Sequence, residues 1–421
     1  MNPHCSSLQR IRLRLLVAGQ WCAALSLAAA PLNKPATSIL IVLSLLFSVL
    51  GADMRLRWKA ALREPVVIGF LAWFAVLLAS AVHAWASSGS TVYGESFLWT
   101  CVYPAVLASL LRSPALRWRA LAAFAVAVAF VLVVSYLMQF GVVPQRAVAT
   151  AVPAMQNTVF KEYTQQGLSS LILLAMVVAF ACHVRSRRLR IGLSIAALAI
   201  LCNVALVIQS RTTYLVLLPL ATYWAYRLLS RRLKGWRVAL ATGMVALVLA
   251  AGFVSTPDVQ RRMVSAVDHE VDTYLTSQQP TSSGIRLWLW QQTLPIIADA
   301  PLFGHGLKQW EPIYVARMRD VPGSAPFITG HPHQEILLIL AEQGFFGLFV
   351  FALLVVALFI HISRQDDPQK GIFTSILIIY LFAGLANGLW SDFTHRHVFV
   401  LLLACLPLAA SRALPATERA R

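Results

Sequence analysis

RLRWKAALREPVVIGFLAWFAVLLASAVHAWA, residues 55–86, decides the fold class of this chain. Its first part carries Arg55, Arg57, Lys59 and Arg63, whereas residues 65–86 contain no Asp, Glu, Lys or Arg. A bilayer span needs about 20 mostly apolar residues, and loops that stay in the cytoplasm are rich in Lys and Arg. The stretch therefore predicts a cytoplasmic segment that leads into a membrane-spanning helix.

The same alternation continues along the whole chain. Of the 35 Lys and Arg residues, 24 fall in seven connecting segments, namely 10–14, 55–63, 112–119, 185–190, 227–237, 364–370 and 412–421. These segments alternate with basic-poor ones, which places them on the cytoplasmic side. The pattern predicts twelve spans with both termini inside, near 13–30, 36–51, 65–86, 96–111, 120–140, 164–183, 191–210, 212–230, 238–254, 344–361, 371–388 and 397–411.

Composition supports this fold class. The chain is 58% hydrophobic and 12% charged, with a mean hydropathy of +0.70, whereas soluble domains contain about 25% charged residues. We therefore predict an all-α polytopic membrane protein with one large external loop. It divides into a membrane domain over 1–254, an external helical loop over 255–343, and a second membrane part with a cytoplasmic tail over 344–421.

The net charge of +18 is explained mostly by topology and requires no nucleic-acid partner. The N-terminus resembles a signal peptide, with Arg10–Arg14, an apolar run and Ala28–Ala30. Because the charge alternation continues through it, we expect a retained first span. None of the six cysteines falls in a long external loop, which argues against a disulfide framework or a cysteine zinc site.

Two of the remaining basic residues lie where an anion could bind. Arg211 ends an apolar segment with almost no loop before the next one, and an ionisable residue there suggests function, the alternative being a snorkelling anchor. Arg286 follows Ser282-Ser283-Gly284, which predicts a helix start with free N–H groups. Pro295 is expected to kink or end that helix. Arg146 and Lys161 lie on another external segment, 141–163, where they could attract an anionic head group or simply be solvated.

His333 is the best candidate for a general base, because a neutral imidazole can accept a proton near pH 7. A metal site is a weaker hypothesis. His331-x-His333 and His395-x-His397 with Asp392 could supply ligands, but no stronger metal motif accompanies them. A purely structural histidine also stays open.

The first external loop, Pro31–Pro35, has no carboxylate, and no external Asp-x-Asp occurs, which disfavours a metal-dependent transferase. Asp268, Glu270 and Asp272 leave a two-carboxylate glycosidase open. They fit better as the polar face of an amphipathic helix predicted over 258–275, which would lie along the membrane interface.

Several motifs occur together in one order and resemble the bacterial O-antigen ligases. They are Ser210-Arg211-Thr212, Gly284-Ile-Arg286 with Trp290, Pro301-Leu-Phe-Gly304-x-Gly306, and His333-Gln334 followed by Gly344-Phe-Phe-Gly347. The wider O-antigen ligase and polymerase superfamily shares related features. Many relatives have His-Asn where this chain has His333-Gln334, a replacement that the ligase signature tolerates.

The resemblance implies a GT-C-like, all-helical glycosyltransferase of about twelve spans in the inner membrane of a Gram-negative bacterium, with a periplasmic active site. The expected donor is O-antigen on undecaprenyl pyrophosphate, and the expected acceptor is the lipid A–core oligosaccharide. By motif, His333 corresponds to the catalytic histidine and Arg211 and Arg286 to the pyrophosphate-binding arginines, while Arg146 and Lys161 match more loosely. No cofactor or metal is expected.

Three alternatives remain after this resemblance. An O-antigen polymerase or a protein O-oligosaccharyltransferase would use the same donor with another acceptor. The polymerase pattern of Arg followed eleven residues later by Gly is missing, because Arg211 leads to Thr222 and Arg286 to Ile297. A transporter or flippase for an anionic lipid also suits a polytopic protein, but it would need charge along its whole passage.

Overall fold

The computed structural model of the chain describes residues 7–89, 99–146, 156–255, 260 and 266–406. Within these residues the regular secondary structure consists of helices, and no strand occurs. The prediction of an all-helical protein is therefore confirmed.

The first six α-helices account for the N-terminal part of the chain: α1 (Ser7–Ala29), α2 (Lys34–Leu50), α3 (Met54–Ala61), α4 (Pro65–Ser88), α5 (Tyr103–Leu110) and α6 (Pro114–Gln139). Local chemistry sets several of their starts. The side chain of Asn33 caps α2, and that of Ser113 caps α6, while proline opens α4 and α6, where a helix needs no N–H donor.

The middle of the chain forms four more helices: α7 (Tyr163–Ala181), α8 (Arg187–Cys202), α9 (Arg211–Leu229) and α10 (Trp236–Ser255). A π-helical turn over Asn203–Ile208 extends α8 almost to α9. Gln209 then adopts a positive φ of 49°, and only Gln209 and Ser210 separate the two elements. The predicted near-absence of a loop before Arg211 is confirmed.

The C-terminal part contains α11 (Ala266–Ser277), α12 (Ser282–Asp299), α13 (Trp310–Met318), α14 (Glu335–Ser363), α15 (Gln369–Gly384) and α16 (Phe393–Leu403). The predicted start of α12 is confirmed. Pro295 does not end α12, because Ile296 and Ile297 beyond it are buried and hold the last turn. Of the helix predicted over 258–275, residues 258–259 and 261–265 lie outside the described residues, and α11 covers 266–275.

A helix covers at least part of each of the twelve predicted spans. Among the described residues, six helices are long and apolar enough to cross a membrane, and the bent pair α2–α3 would make a seventh. α2 and α3 meet at 118°, so this pair is either a broken span or a re-entrant loop. The coarser prediction of a polytopic membrane protein is supported, and the number of twelve crossings stays a prediction.

Apolar clusters organise the packing. The largest joins α1, α2, α4 to α9 and α14 to α16, with fully buried side chains such as Phe70, Phe124 and Phe373. Another joins α12, α13 and the first turns of α14 through Leu289, Trp310 and Leu338. The segment between α10 and α14 therefore has a small core of its own that continues into α14.

Glycines allow residues 301–306 to pack closely against the backbone of α14. At Gly344 the backbone of α14 breaks, with φ 68° and ψ −169°. The N–H groups of His305 and Gly306 donate to Ala341 and Glu342 carbonyls at 2.9 Å, and that of Phe345 donates to the Pro301 carbonyl at 2.8 Å. A Cβ at Gly304 or Gly344 would lie 2.4 Å from the opposite backbone, so only glycine allows this approach. A Cβ added at Gly347 would lie 2.2 Å from Gln343 Cβ.

Candidate functional site

Arg211 is the first residue of α9, directly after the Ser210 cap position. The next residue, Thr212, accepts a hydrogen bond from Asn387 at 2.7 Å, which ties this helix start to the connection between α15 and α16. Thr164 of α7 lies 3.5 Å from the Ser210 hydroxyl. The start of α9 therefore contacts α7 and the connection between α15 and α16. Arg211 lies there beside α11.

Glu270 of α11 connects Arg211 to the start of α12. The two terminal nitrogens of Arg211, Nη1 and Nη2, donate to Glu270 Oε2 and Oε1 at 2.8 and 2.7 Å. The backbone N–H and hydroxyl of Ser283 donate to Oε2 at 2.9 and 2.7 Å. Burial alone would raise the pKa of Glu270, but these hydrogen bonds and the charge of Arg211 outweigh it and lower the pKa to about 2. Glu270 is therefore a carboxylate at neutral pH.

Arg286 lies one turn into α12. Its Nη1 donates to the carbonyl and hydroxyl oxygens of Ser282 at 3.1 and 3.0 Å. Its Nε is buried and has no hydrogen-bond partner among the described residues. Burial lowers the pKa of Arg286; Tyr163 and Glu270 oppose that shift, and Arg211 adds to it. Arg286 thus lies near Arg211, and its unused buried donor suits an anion.

His333 lies in the connection between the 3₁₀ turn Ala325–Phe327 and α14, with a positive φ of 53°. Its backbone N–H donates to His331 Nδ1 at 3.2 Å, and the two rings meet edge to face with centroids 4.2 Å apart. Burial lowers the pKa of His333 to about 3, and His331 and Arg286 act in the same direction. The imidazole is therefore neutral at physiological pH, as a general base must be.

Gln334 fixes the backbone next to His333. It is the N-cap residue of α14, and its side chain accepts a hydrogen bond from the Leu337 N–H. A side-chain amide in this position satisfies one of the free donors at a helix start. The cap fixes the backbone beside His333, whose left-handed conformation is uncommon for a residue with a side chain.

The two loosely matched basic residues lie elsewhere. Arg146 is exposed, and its backbone N–H donates to the Gln156 carbonyl at 3.0 Å. Lys161 is buried, and burial lowers its pKa to about 8, with Lys34 adding to the shift and Asp392 opposing it. In the described part of the chain, neither side chain shares a hydrogen bond or ion pair with Arg211, Arg286 or His333.

The structure thus places Arg286 within electrostatic range of both Arg211 and His333, although the three residues are far apart in the sequence. Two guanidiniums beside a neutral imidazole can bind a phosphorylated leaving group and accept a proton from a nucleophile. Among the described residues, no group of three or more His, Cys, Asp or Glu side chains is arranged to hold a metal ion.

Sequence reasoning missed Glu270 and Tyr163 as neighbours of the arginines. The sequence predicted only that Glu270 lies on the polar face of a helix; in the structure its side chain is 20% exposed and pairs with Arg211, a contact that the prediction did not include. One signal was present: Glu270 precedes Tyr274 by four residues, so the two share a helix face, and Tyr274 is buried. Asp268 and Asp272 are exposed, as that prediction required.

Comparison with known families agrees with this geometry. Residues 200–352 match a family model described as O-antigen ligase. The match includes Arg211, Arg286, His333, Gly344 and Gly347, whereas Arg146 and Lys161 lie outside it. No curated protein matches the chain.

Proposed function

We propose, on the premise that residues 200–352 belong to the O-antigen ligase family, that the chain transfers O-antigen from undecaprenyl pyrophosphate to lipid A–core oligosaccharide. One observation carries this proposal. Arg286 lies within electrostatic range of both Arg211 and a neutral His333, an arrangement that suits a sugar pyrophosphate donor and a hydroxyl acceptor.

His333 takes the proton of the acceptor hydroxyl as that oxygen attacks the anomeric carbon of the donor sugar. The bond from this carbon to the pyrophosphate oxygen breaks on the opposite face, so a single displacement inverts the configuration. A positioned base of this kind contributes about 10²–10⁴-fold to the rate. Undecaprenyl pyrophosphate leaves with the bonding electron pair.

Arg211 and Arg286 stabilise the negative charge that develops on the leaving pyrophosphate. Preorganised donors aimed at such a charge contribute about 2–4 kcal/mol each. The donor is already activated, so the reaction needs no nucleotide, and with two fixed cations it needs no metal. A pyrophosphate beside Arg286 also offsets the positive charge that lowers the pKa of His333, and so strengthens the base.

An apolar cavity supports a lipid-linked substrate. It measures about 310 Å³, lies between α14, α15 and α16, and is lined by side chains such as Phe351, Leu377 and Phe399. Glu335, Trp390 and Arg396 also line it, and Glu335 is two residues from His333. Apolar walls fit a prenyl chain, because they can contact it through van der Waals packing.

The remaining parts of the proposal concern how the chain lies in the membrane. The charge alternation supports about twelve crossings with cytoplasmic termini, and the division into 1–254, 255–343 and 344–421. The resemblance to O-antigen ligases supports a bacterial inner membrane, a GT-C-like architecture and a periplasmic site. Arg146, which is exposed, and Lys161, which is buried, are proposed to add positive charge that attracts the anionic donor to this face.

The first experiment is a transfer assay with the purified full-length protein, lipid-linked glycan, lipid A–core acceptor and a chelator, without ATP. We expect glycan on the lipid A–core. Longer lipid-linked glycan would identify a polymerase instead, and glycan on protein would identify a protein O-oligosaccharyltransferase. Strict dependence on a metal would contradict the mechanism.

His333→Ala separates an enzyme from a transporter. We expect it to lose transfer by at least about 10²-fold while donor binding is kept. His269→Ala is the matched control, because His269 is an exposed histidine of the same external segment. Full activity of the His333 variant would remove the proposed base, and lipid translocation without any transfer would favour a flippase.

A further inference from the structure

Glu270 joins three elements of the site: α11, which carries it, the start of α9 and the start of α12. We propose that Glu270 is a positioning residue of the donor site, which holds Arg211 and the start of α12 in one frame so that both arginines face the pyrophosphate. This inference rests on the proposed function and adds to it a residue that the motifs do not include.

The contact between Glu270 and Arg211 fixes the guanidinium plane. It is bidentate, with donor–acceptor distances of 2.8 and 2.7 Å. Two parallel hydrogen bonds of this type restrict rotation of an arginine head group more than one bond does. They use two of the five N–H donors of Arg211, so three remain for a second anion.

The same carboxylate fixes the start of α12. Ser283 donates to Glu270 Oε2 through both its N–H and its hydroxyl. The Thr281 hydroxyl donates to the Glu270 backbone carbonyl at 2.8 Å and accepts from the Gly284 N–H at 3.1 Å. A Cβ at Gly284 would lie 2.6 Å from Tyr274 Cβ, so α11 and α12 approach closely here. The orientation of Arg286, one turn further on, depends on this junction.

Charge gives a second reason for a carboxylate at this point. Arg211 and Arg286 are close enough that Arg211 lowers the pKa of Arg286, whereas Glu270 raises it. Glu270 therefore offsets the repulsion between two cations that must stay together to bind one pyrophosphate. A neutral side chain of the same size would keep the packing and lose this effect.

The decisive variant is Glu270→Gln, which keeps the size of the side chain and removes its charge. Asp272→Asn is the matched control, because Asp272 is an exposed carboxylate on the same helix. We expect Glu270→Gln to weaken equilibrium binding of undecaprenyl pyrophosphate on the order of tenfold. The KM for lipid A–core should change less than about twofold, since the proposed function places the acceptor hydroxyl at His333 and not at this junction, and Asp272→Asn should leave both unchanged.

A background that lacks both arginines shows whether Glu270 acts through them. In an Arg211→Ala/Arg286→Ala background, Glu270→Gln should weaken donor binding less than about twofold further, because residues that act through one interaction are not additive. A full additional tenfold loss would show a separate structural effect and would overturn the positioning role. Tighter donor binding in Glu270→Gln would overturn it as well, since Glu270 would then compete with the pyrophosphate.

Failure of this inference is distinguishable from failure of the proposed function. If Arg211→Ala and Arg286→Ala bind undecaprenyl pyrophosphate like the unmodified protein, the proposed donor site itself is wrong. If both lose affinity while Glu270→Gln keeps it, only the role of Glu270 is wrong. Thermal unfolding of each variant, measured beside Asp272→Asn, confirms that a loss of binding is not a loss of fold.

Discussion

At the scale of single residues, the site combines a weakly basic histidine with two cations. Burial, His331 and Arg286 together lower the pKa of His333 to about 3. Catalysis needs the neutral imidazole, so activity is lost as the pH falls through this pKa and is kept above it. The protein should therefore hold its kcat/KM for the donor across the mildly acidic range.

Arg286→Gln tests this electrostatic contact. Removing a positive charge beside His333 raises its pKa, so the acid limb of kcat/KM for the donor should move to higher pH by roughly one unit. A pH–rate profile measures it, with Arg317→Gln as control, because Arg317 pairs with Asp299 instead. An unshifted limb would show that Arg286 does not act on the titrating base.

At the scale of elements, the start of α14 depends on two features. Gln334 caps the helix beside His333, and the break at Gly344 lets the loop 301–306 pack on the helix backbone. Gly306 also lies against α4, where an added Cβ would be 2.8 Å from Ala84. The glycine motifs therefore support the site by allowing close backbone approach, and they are not expected to touch substrate.

Gly344→Ala should destabilise the protein by roughly 2–4 kcal/mol, because the alanine would have to adopt φ 68° and its Cβ would meet the Leu302 carbonyl. Gly243→Ala in α10 is the control, since nothing lies within 4 Å of its added Cβ. It should be neutral or stabilising by up to about 1 kcal/mol. Thermal unfolding in detergent compares the two, and equal melting temperatures would contradict the role given to Gly344.

At the scale of the whole molecule, the arginine-rich segments and the site are proposed to lie on opposite sides of the membrane. The site is built at the starts of α9, α12 and α14, whereas Arg364 and Lys370 follow the end of α14. α14 is long and apolar enough to cross the bilayer once between these two regions. The orientation of the whole protein follows from which side the arginine-rich segments occupy.

Single cysteines at Thr276 and Ser363 test this orientation in a variant that lacks the native cysteines. Both positions are exposed, and α14 separates them. A membrane-impermeant maleimide should label Thr276→Cys in intact spheroplasts and label Ser363→Cys only after permeabilisation. Labelling of both from outside would contradict a single crossing by α14 and the proposed periplasmic site.

The sequence by itself predicted the helices and most of the candidate site residues. Runs of apolar residues between arginine-rich segments predicted the helices, because helix formation in a membrane depends on local hydrogen bonding and hydropathy. The helix start before Arg286 and the motif around His333 were local as well. Each of these features needs only neighbouring residues to be recognised.

Only the tertiary structure decided how these residues meet. The sequence predicted that Glu270 lies on the polar face of a helix. In the structure it binds Arg211, which is 59 residues away in the chain. The helix over α12 was expected to kink or end at Pro295, yet burial of Ile296 and Ile297 carries it to Asp299. Packing between distant elements sets such contacts, and one sequence pattern does not record which faces will be apposed.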